Sequence, residues 1–467
     1  MSASPLPTRL PLSWGPAPAG ESPVTWGQQA IWDAMRDLGA YDHQFNLRWT
    51  LTLPAPGPIP RVLAALEWLV GRHESLRSVY DGPAGAATQR LLQRCDIPLH
   101  WRPSEASPGE TEQAAADLAE QLCARSFRHG TEPPLRVGLV HTGNEVTHIV
   151  LAVSHMAADN DGLARAASEL LDRAAGAGSP LPEPTQPRHI AALQRSASWQ
   201  ARSERAADYW IETLRAAPPM AAPSHAADER SPRFWRGLLT SRSLLGAVGH
   251  LAREGGVSTT SVLLAAVGRA LGTLTGSRRP CVMLMCNNRT REPFRSTISP
   301  VALEGVLSFD VFADDPGDGG ESGATGAGPD FPALARRAWN ASLLAYRYAQ
   351  YDKPALSEAI VRAGGFRSRM HRTCWFNDLR IERRPQGAPP PAGAGRAGEF
   401  RWMDFTHEQG DADLAFHVYD PADTLQITLT ADTRLVGPAT IEGVLRDVER
   451  IIMEAAVTAP TSGDVHV

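Results

Sequence analysis

The chain has no uninterrupted run of the ~18 apolar residues that a membrane-crossing helix needs, so no membrane association is expected. It has no excess of basic charge: 46 Lys and Arg stand against 51 Asp and Glu, a net charge of -5. Sustained nucleic-acid binding uses a basic stripe, and its lack argues against that class. The five cysteines (Cys95, Cys123, Cys281, Cys286 and Cys374) are an odd number, scattered, with no CxxC pair. Neither a disulfide framework nor a cysteine zinc site is expected. Cys281 and Cys286 share the apolar run PCVMLMC, where cysteine behaves as a small hydrophobe. Prolines interrupt the first twenty residues and leave no apolar core for a secretory signal, so a cytoplasmic location is expected.

What is present suits a large two-part globular protein. A length of 467 residues exceeds one hydrophobic core, and 43% hydrophobic residues is ordinary for a folded chain. Residues 1–22 read as a disordered lead-in. A Gly-, Pro- and Ala-rich stretch at residues 174–188 marks a linker, giving an N-terminal lobe at 23–180 and a C-terminal lobe at 181–467. Helical spacing predicts helices over 25–38, with Thr25 as N-cap, and over 61–73, 162–172, 190–214, 244–254, 261–271 and 439–455. Alternating or β-branched runs predict strands over 44–53, 147–153, 280–285, 374–379, 414–419 and 425–430. Residues 314–329 and 384–398 are low-complexity and predict surface loops. Strands alternate with helices in both halves, so the class is α/β.

One segment stands out for chemistry: Val150 to Gly162, VLAVSHMAADNDG. A buried strand delivers His155 to a loop, and Asp159 follows four residues later. Histidine is the side chain best suited to move a proton near neutrality. Three readings stay open on the residues alone: a structural or surface histidine, half of an i,i+4 metal pair with Asp159, or a catalyst. Ser154 next to His155 is poorly placed for a nucleophile–base relay, because adjacent strand residues face opposite sides.

Ser154 to Asn160, SHMAADN, resembles the HHxxxDG motif of condensation domains of nonribosomal peptide synthesis, within the chloramphenicol acetyltransferase-like superfamily. His155 falls on the second histidine, to which that family assigns catalysis, and Asp159 on its aspartate. The likeness extends along the chain. Trp26 to Trp32 resembles the family's SxAQxRLW helix, Gly71 to Tyr80 (GRHESLRSVY) its RHExLRTxF motif, and Pro133 to Val140 its PLR segment. Asn288-Arg289-Thr290 is similar to its GRT, Trp375-Phe376-Asn377 to its FNY-like strand, and Asp413-Leu414 to its late DL pair.

The resemblance implies two acetyltransferase-like lobes forming a V, with a central cleft and tunnel. It implies an acyltransferase joining an acyl thioester to an amine or hydroxyl, with an amide or ester as product. The acyl group would arrive on the phosphopantetheine arm of a carrier protein acting in trans, or on coenzyme A. No bound cofactor or metal is implied, and a monomer is expected. It further implies that Arg289 pairs with Asp159, and that Trp375, Asn377 and Trp402 line the substrate site. Glu304 is the one candidate for the glutamate that epimerising relatives use. Arg72, Arg77, Arg125, Arg128 and Arg136 are candidates for a basic patch facing an acidic carrier.

Ser154 in place of the first histidine and Asn160 in place of the glycine depart from the motif. Asn tolerates left-handed backbone, so a turn there survives. The departures also admit a catalytically silent platform that docks other biosynthetic proteins.

Overall fold

The computed structural model describes residues 6–14, 21–104, 107–176, 180–217, 231–312, 330–364, 374–380, 397–403, 412–421 and 423–458. The loop expected at 314–329 and most of that at 384–398 lie outside the described residues.

Packing divides the chain into two compact units. The first comprises Met1–Ala201, Asn287–Leu303 and Asp352–Pro354, and the second the remainder. The packed boundary therefore falls after Ala201, beyond the expected one at 180. The reason is the helix Pro187–Gln194, which packs on the first unit. Arg188 Nε donates to Glu74 at 2.8 Å, and Ile190 shares a small core with Phe294 and Val301.

The first unit holds strands β1 (Arg9–Ser13), β2 (Ser22–Pro23), β3 (Leu47–Pro58), β4 (Ser78–Asp81), β5 (Thr88–Leu91), β6 (Arg94–Pro103), β7 (Leu135–Thr142) and β8 (Glu145–Val153). Its longer helices are α1 (Trp26–Leu38), α2 (Ile59–Arg72), α3 (Pro108–Cys123), α4 (Asn160–Ala174) and α5 (Pro187–Gln194). A five-stranded sheet runs β1-β6-β7-β8-β3, and a three-stranded one β2-β5-β4. Strand β8 is covered on both sides, as its apolar run requires. Ile149, Leu151 and Val153 pack with Val62, Leu66 and Leu163 of α2 and α4, while Val150 and Ala152 pack with Leu118 and Leu122 of α3.

The lead-in expected to be disordered instead carries β1, which pairs antiparallel with β6. Its Leu12 is buried, and the following Trp14 lies under the Arg77 guanidinium at 4.4 Å. Those apolar and cation–π contacts offset the entropy of ordering a proline-containing segment.

The second unit holds β9 (Phe234–Ser241), β10 (Cys281–Cys286), β11 (Leu303–Ser308), β12 (Cys374–Asp378), β13 (Glu399–Trp402), β14 (Leu414–Tyr419) and β15 (Leu425–Asp432). They form one seven-stranded sheet in the order β11-β10-β12-β14-β15-β9-β13. Among its helices are α7 (Arg242–Gly255), α8 (Thr259–Thr275), α9 (Phe331–Arg347), α10 (Lys353–Arg362) and α11 (Pro438–Thr458). Leu244, Leu263, Leu334 and Leu445 of α7, α8, α9 and α11 pack on Phe376, Phe416, Ile427 and Leu429, which all point to one face of the sheet. The single helix expected over 190–214 is two helices, α5 and α6 (Ala197–Ala216). The Ser196 carbonyl accepts the N–H groups of Trp199 and Gln200 and so starts the second. Among the described residues no single helix is long and apolar enough to cross a membrane.

Candidate active site

Strand β8 ends at Val153, and the chain turns through His155 before α4 begins at Asn160. The turn is held from several directions. Ser154 N–H donates to the Pro134 carbonyl at 3.0 Å, and Ser154 Oγ accepts the Met156 N–H at 3.2 Å. Gln28 of α1 donates to the Met156 carbonyl at 3.0 Å. Gln28 itself is set by a reciprocal cap at the start of α1. Its backbone N–H donates to Thr25 Oγ1 at 3.1 Å, and its Oε1 accepts the Thr25 N–H at 3.0 Å. The WGQQ helix thus braces the histidine turn.

His155 Nδ1 lies 2.8 Å from the Ala158 carbonyl. A carbonyl oxygen only accepts, so Nδ1 carries the proton and the neutral ring presents a lone pair at Nε2. Among the described residues nothing hydrogen-bonds to Nε2. The Phe45 ring sits 5.9 Å away, centroid to centroid. Burial lowers the His155 pKa below the ordinary histidine value, against the opposing pull of Asp159 and the hydrogen bond to Ala158. The ring is therefore held neutral.

Asp159 is the N-cap of α4 and accepts the Gly162 N–H at 2.8 Å. Its Oδ1 lies 2.6 Å from Arg289 Nη2, and its Oδ2 accepts the Val301 N–H at 3.1 Å. Arg289 also donates to the carbonyls of Phe294 (3.0 Å), Thr297 and Ser299 (2.9 Å). The segment Asn287–Leu303 is thereby gathered around one buried guanidinium. Asp159 spends its oxygens on this clamp, which leaves the carboxylate in a positioning role beside His155.

Asn160 needs no left-handed backbone. It opens α4, and among the described residues only Asn288 and Asp423 are non-glycine residues with positive φ. The close approach falls at Gly162, where an added Cβ would run into the Ile298 carbonyl. Gly27 of α1 is similar: a Cβ there would stand 2.5 Å from the Pro300 oxygen. Two glycines, 135 positions apart by subtraction of their numbers, grip the same segment. Gly162→Ala is expected to destabilise the protein by ~1–3 kcal/mol, although alanine is the better helix former. A urea midpoint at or above that of the parent would contradict this packing.

Ser154 is fully buried, and its Oγ lies 3.5 Å from His129 Nδ1. The other His129 nitrogen faces Asp42 at 3.5 Å. Burial lowers the His129 pKa, with Asp42 opposing. His129 and Asp42 were not legible as site residues, because nothing in their sequence spacing ties them to Ser154.

Trp375 and Asn377 lie on β12, in register with Ala415 and His417 of β14, on the sheet face opposite the helices. Trp402 does not join them. Its register runs through Gly237 and Leu429 to Phe416, which puts it on the helix-covered face, edge-on to Trp235 and Phe400. Glu304 is buried and accepts the Tyr351 hydroxyl at 3.1 Å. Nor do the five arginines form a free basic patch. Arg72 binds Glu169 at 3.1 Å, and Arg77 is buried over Trp14. Arg125 and Arg128 lie near Glu132, while the buried Arg136 donates to Glu132 and to the carbonyls of Leu122, Arg125 and Ser126. The arginine of the PLR segment is thus a structural tie.

His417 also has a lowered pKa: burial first, and then the Arg236 charge, bring it to about 4. In the unfolded chain it titrates near 6.5, so between these values only the unfolded state takes up the proton. Its contribution is complete above about pH 6.5 and is lost as pH falls toward 4, on the order of 3 kcal/mol in all. His417→Gln is expected to flatten the loss of stability between pH 7 and 4. Parallel pH–stability curves for variant and parent would count against it.

The sequence that builds this turn matches a known family. The condensation-domain family model matches residues 19–301. The chain belongs to the condensation-domain family, whose members serve nonribosomal peptide and polyketide biosynthesis. It is 26% identical over 311 residues to tyrocidine synthase 3 of Brevibacillus parabrevis, covering 64% of this chain and 5% of that protein. It is 30% identical over 270 residues to phosphinothricin tripeptide synthetase PhsB of Streptomyces viridochromogenes, covering 55% of this chain and 22% of the other. The chain therefore corresponds to a small part of each of these relatives.

Among solved structures, the enacyloxin polyketide synthase condensation domain that mediates chain release superposes with a TM-score of 0.73 at 19% identity. That match covers 97% of this chain and 85% of the other. The X-domain from teicoplanin biosynthesis gives a TM-score of 0.66 at 18% identity, covering 98% and 97%. Both establish the fold.

Proposed function

We propose that the chain is an acyltransferase of the condensation type, joining a thioester-bound acyl group to an amine or hydroxyl. The observation that carries this reading is the His155 imidazole, with Nδ1–H tied to the Ala158 carbonyl and Nε2 left as a lone pair without a partner. Nε2 accepts the proton of the attacking N–H or O–H as the nucleophile adds to the thioester carbonyl. The tetrahedral intermediate collapses with cleavage of the C–S bond, and the proton passes to the departing thiolate. Amide or ester and free thiol result. The thioester is itself activated, so no nucleotide enters the balance. The acyl group is supplied by the phosphopantetheine arm of a carrier protein in trans, or by coenzyme A. The relatives that are multienzyme peptide synthetases support this choice.

The test is incubation with acyl-loaded carrier protein or acyl-coenzyme A and a panel of amines and alcohols, with product followed by mass. Product that depends on His155 supports the reading. A second reading, a silent docking platform, draws on Ser154 in the motif and on the exposed apolar side chains Leu343, Leu344 and Tyr346 of α9 and Val361 of α10. Stable complex formation with a biosynthetic protein, without turnover of any acyl donor, would favour it.

A further inference from the structure

Within the second unit, an open cleft of about 550 Å³ lies between α6, α9 and the edge of the sheet where β10 begins and β11 ends. That volume suits a small organic ligand. Both helices turn one face to it. Tyr209, Glu212, Thr213 and Ala216 of α6 stand at i, i+3, i+4 and i+7, and so do Arg337, Asn340, Ala341 and Leu344 of α9. From the sheet side, Phe309 follows β11 and Arg279 comes just before β10. Arg279 is fixed through its backbone. Its N–H donates to Ser277 Oγ at 3.3 Å, and its carbonyl accepts from Ser308 Oγ at 3.2 Å. The guanidinium is left over. Among the described residues it makes no hydrogen bond and no ion pair, and its Nε is buried. The two Nη groups are not enclosed, so a ligand in the cleft can reach them. A guanidinium carries five N–H donors and does not shed its charge, so a half-buried one without a partner calls for an acceptor.

The remaining groups narrow that acceptor. Asp310 also borders the cleft, but Arg278 pairs with it at 3.7 Å. The Tyr209 hydroxyl is spent on the Val306 carbonyl at 2.9 Å. Arg337 Nη1 donates to the carbonyls of Asp310 (3.4 Å) and Phe312 (3.2 Å), which engages its N–H without cancelling its charge. Two arginines therefore face one further carboxylate, Glu212, which is exposed on α6 and keeps its water. The surplus is positive and favours an anion. A planar guanidinium matches a carboxylate through two parallel N–H···O bonds. The Asn340 side chain, without a partner among the described residues, offers another donor. Phe309, Ala341 and Leu344 supply an apolar wall, and Leu344 stands 46% exposed. A ligand with an apolar body would take that surface out of water.

We propose that this cleft binds a small organic carboxylate, with its oxygens on Arg279 and Asn340 and its apolar body against Phe309, Ala341 and Leu344. The site lies wholly within the second unit and does not depend on the acyl-transfer reading, whose base, His155, belongs to the first.

Isothermal titration of the full chain with 3-phenylpropanoate, 3-phenylpropanamide and inorganic phosphate tests the assignment. The carboxylate is expected to bind saturably and roughly tenfold more tightly than the other two, since the amide lacks the charge and phosphate the apolar body. Arg279→Gln is expected to weaken that binding by about tenfold, the share of a charge-assisted hydrogen bond. Its unfolding midpoint without ligand should match the parent's, because the guanidinium it removes bonds nothing among the described residues. Asn340→Asp, at an exposed position, should weaken the carboxylate as well by placing a like charge beside it. His155→Ala should bind 3-phenylpropanoate as the parent does, so a failure of catalysis and a failure of the cleft give different results. No saturable binding, amide or phosphate held as tightly as the carboxylate, unchanged binding by Arg279→Gln and Asn340→Asp, or binding lost in His155→Ala would each overturn it.

Discussion

Replacing His155 by alanine is expected to slow acyl transfer by a factor of about 10²–10⁴, the usual contribution of a positioned general base. The fold should survive, because the ring makes one hydrogen bond, to the Ala158 carbonyl, and is not part of the apolar core. Circular dichroism and an unfolding midpoint like the parent's would show that the loss is chemical. The pH profile adds a second check. Activity needs the unprotonated ring, and burial lowers its pKa below the usual histidine value. The rate should therefore hold at neutral pH and fall only as pH drops through that lowered pKa. Undiminished turnover by His155→Ala, or a profile lacking the acid limb, would take the imidazole out of the mechanism.

Removing Arg289 is expected to cost about 3–5 kcal/mol of stability, since it leaves the Asp159 carboxylate buried without its counter-charge. The loss should exceed that of an exposed ion pair, because both side chains are nearly buried, at 9% and 7% exposure. It also strands the carbonyls of Phe294, Thr297 and Ser299 that Arg289 gathers. Arg289→Met with Asp159→Asn should recover part of the loss by removing both charges together. Thermal unfolding of the two single variants and the double variant gives the coupling directly. Single variants as stable as the parent would show that the clamp is dispensable. Activity alone cannot decide this point, since a displaced turn would move His155 as well.

Much of this was legible from local patterns. The buried strand before His155, the Thr25 cap and the two-sided burial of β8 follow from apolar runs and capping chemistry that need few distant partners. His155, Asp159 and Arg289 were singled out through motif resemblance, and in the structure the last two are in contact. What stayed hidden depends on long-range register or on contacts with no periodicity. His129 reaches Ser154 across 25 positions, and Trp402 falls on the opposite sheet face from Trp375 through a pairing of β13 with β9 that sequence does not display. The arginines of the first unit looked like surface charge because composition says nothing of partners. Arg136 is the clearest case, enclosed by carbonyls and 3.8 Å from the Phe127 ring.

The segment Asn287–Leu303 gives the chain a temporal order. It lies among residues of the first unit, yet it follows Arg202–Cys286 of the second unit, the stretch that carries that unit's first two strands, β9 and β10. A nascent chain emerging from the ribosome cannot close the pocket around Asp159 until residue 303 is out. A fragment stopping at Ala201 would present an unpaired carboxylate and two bare glycine surfaces. Splitting the protein for heterologous expression or for domain exchange should therefore fail at any cut between residues 201 and 303.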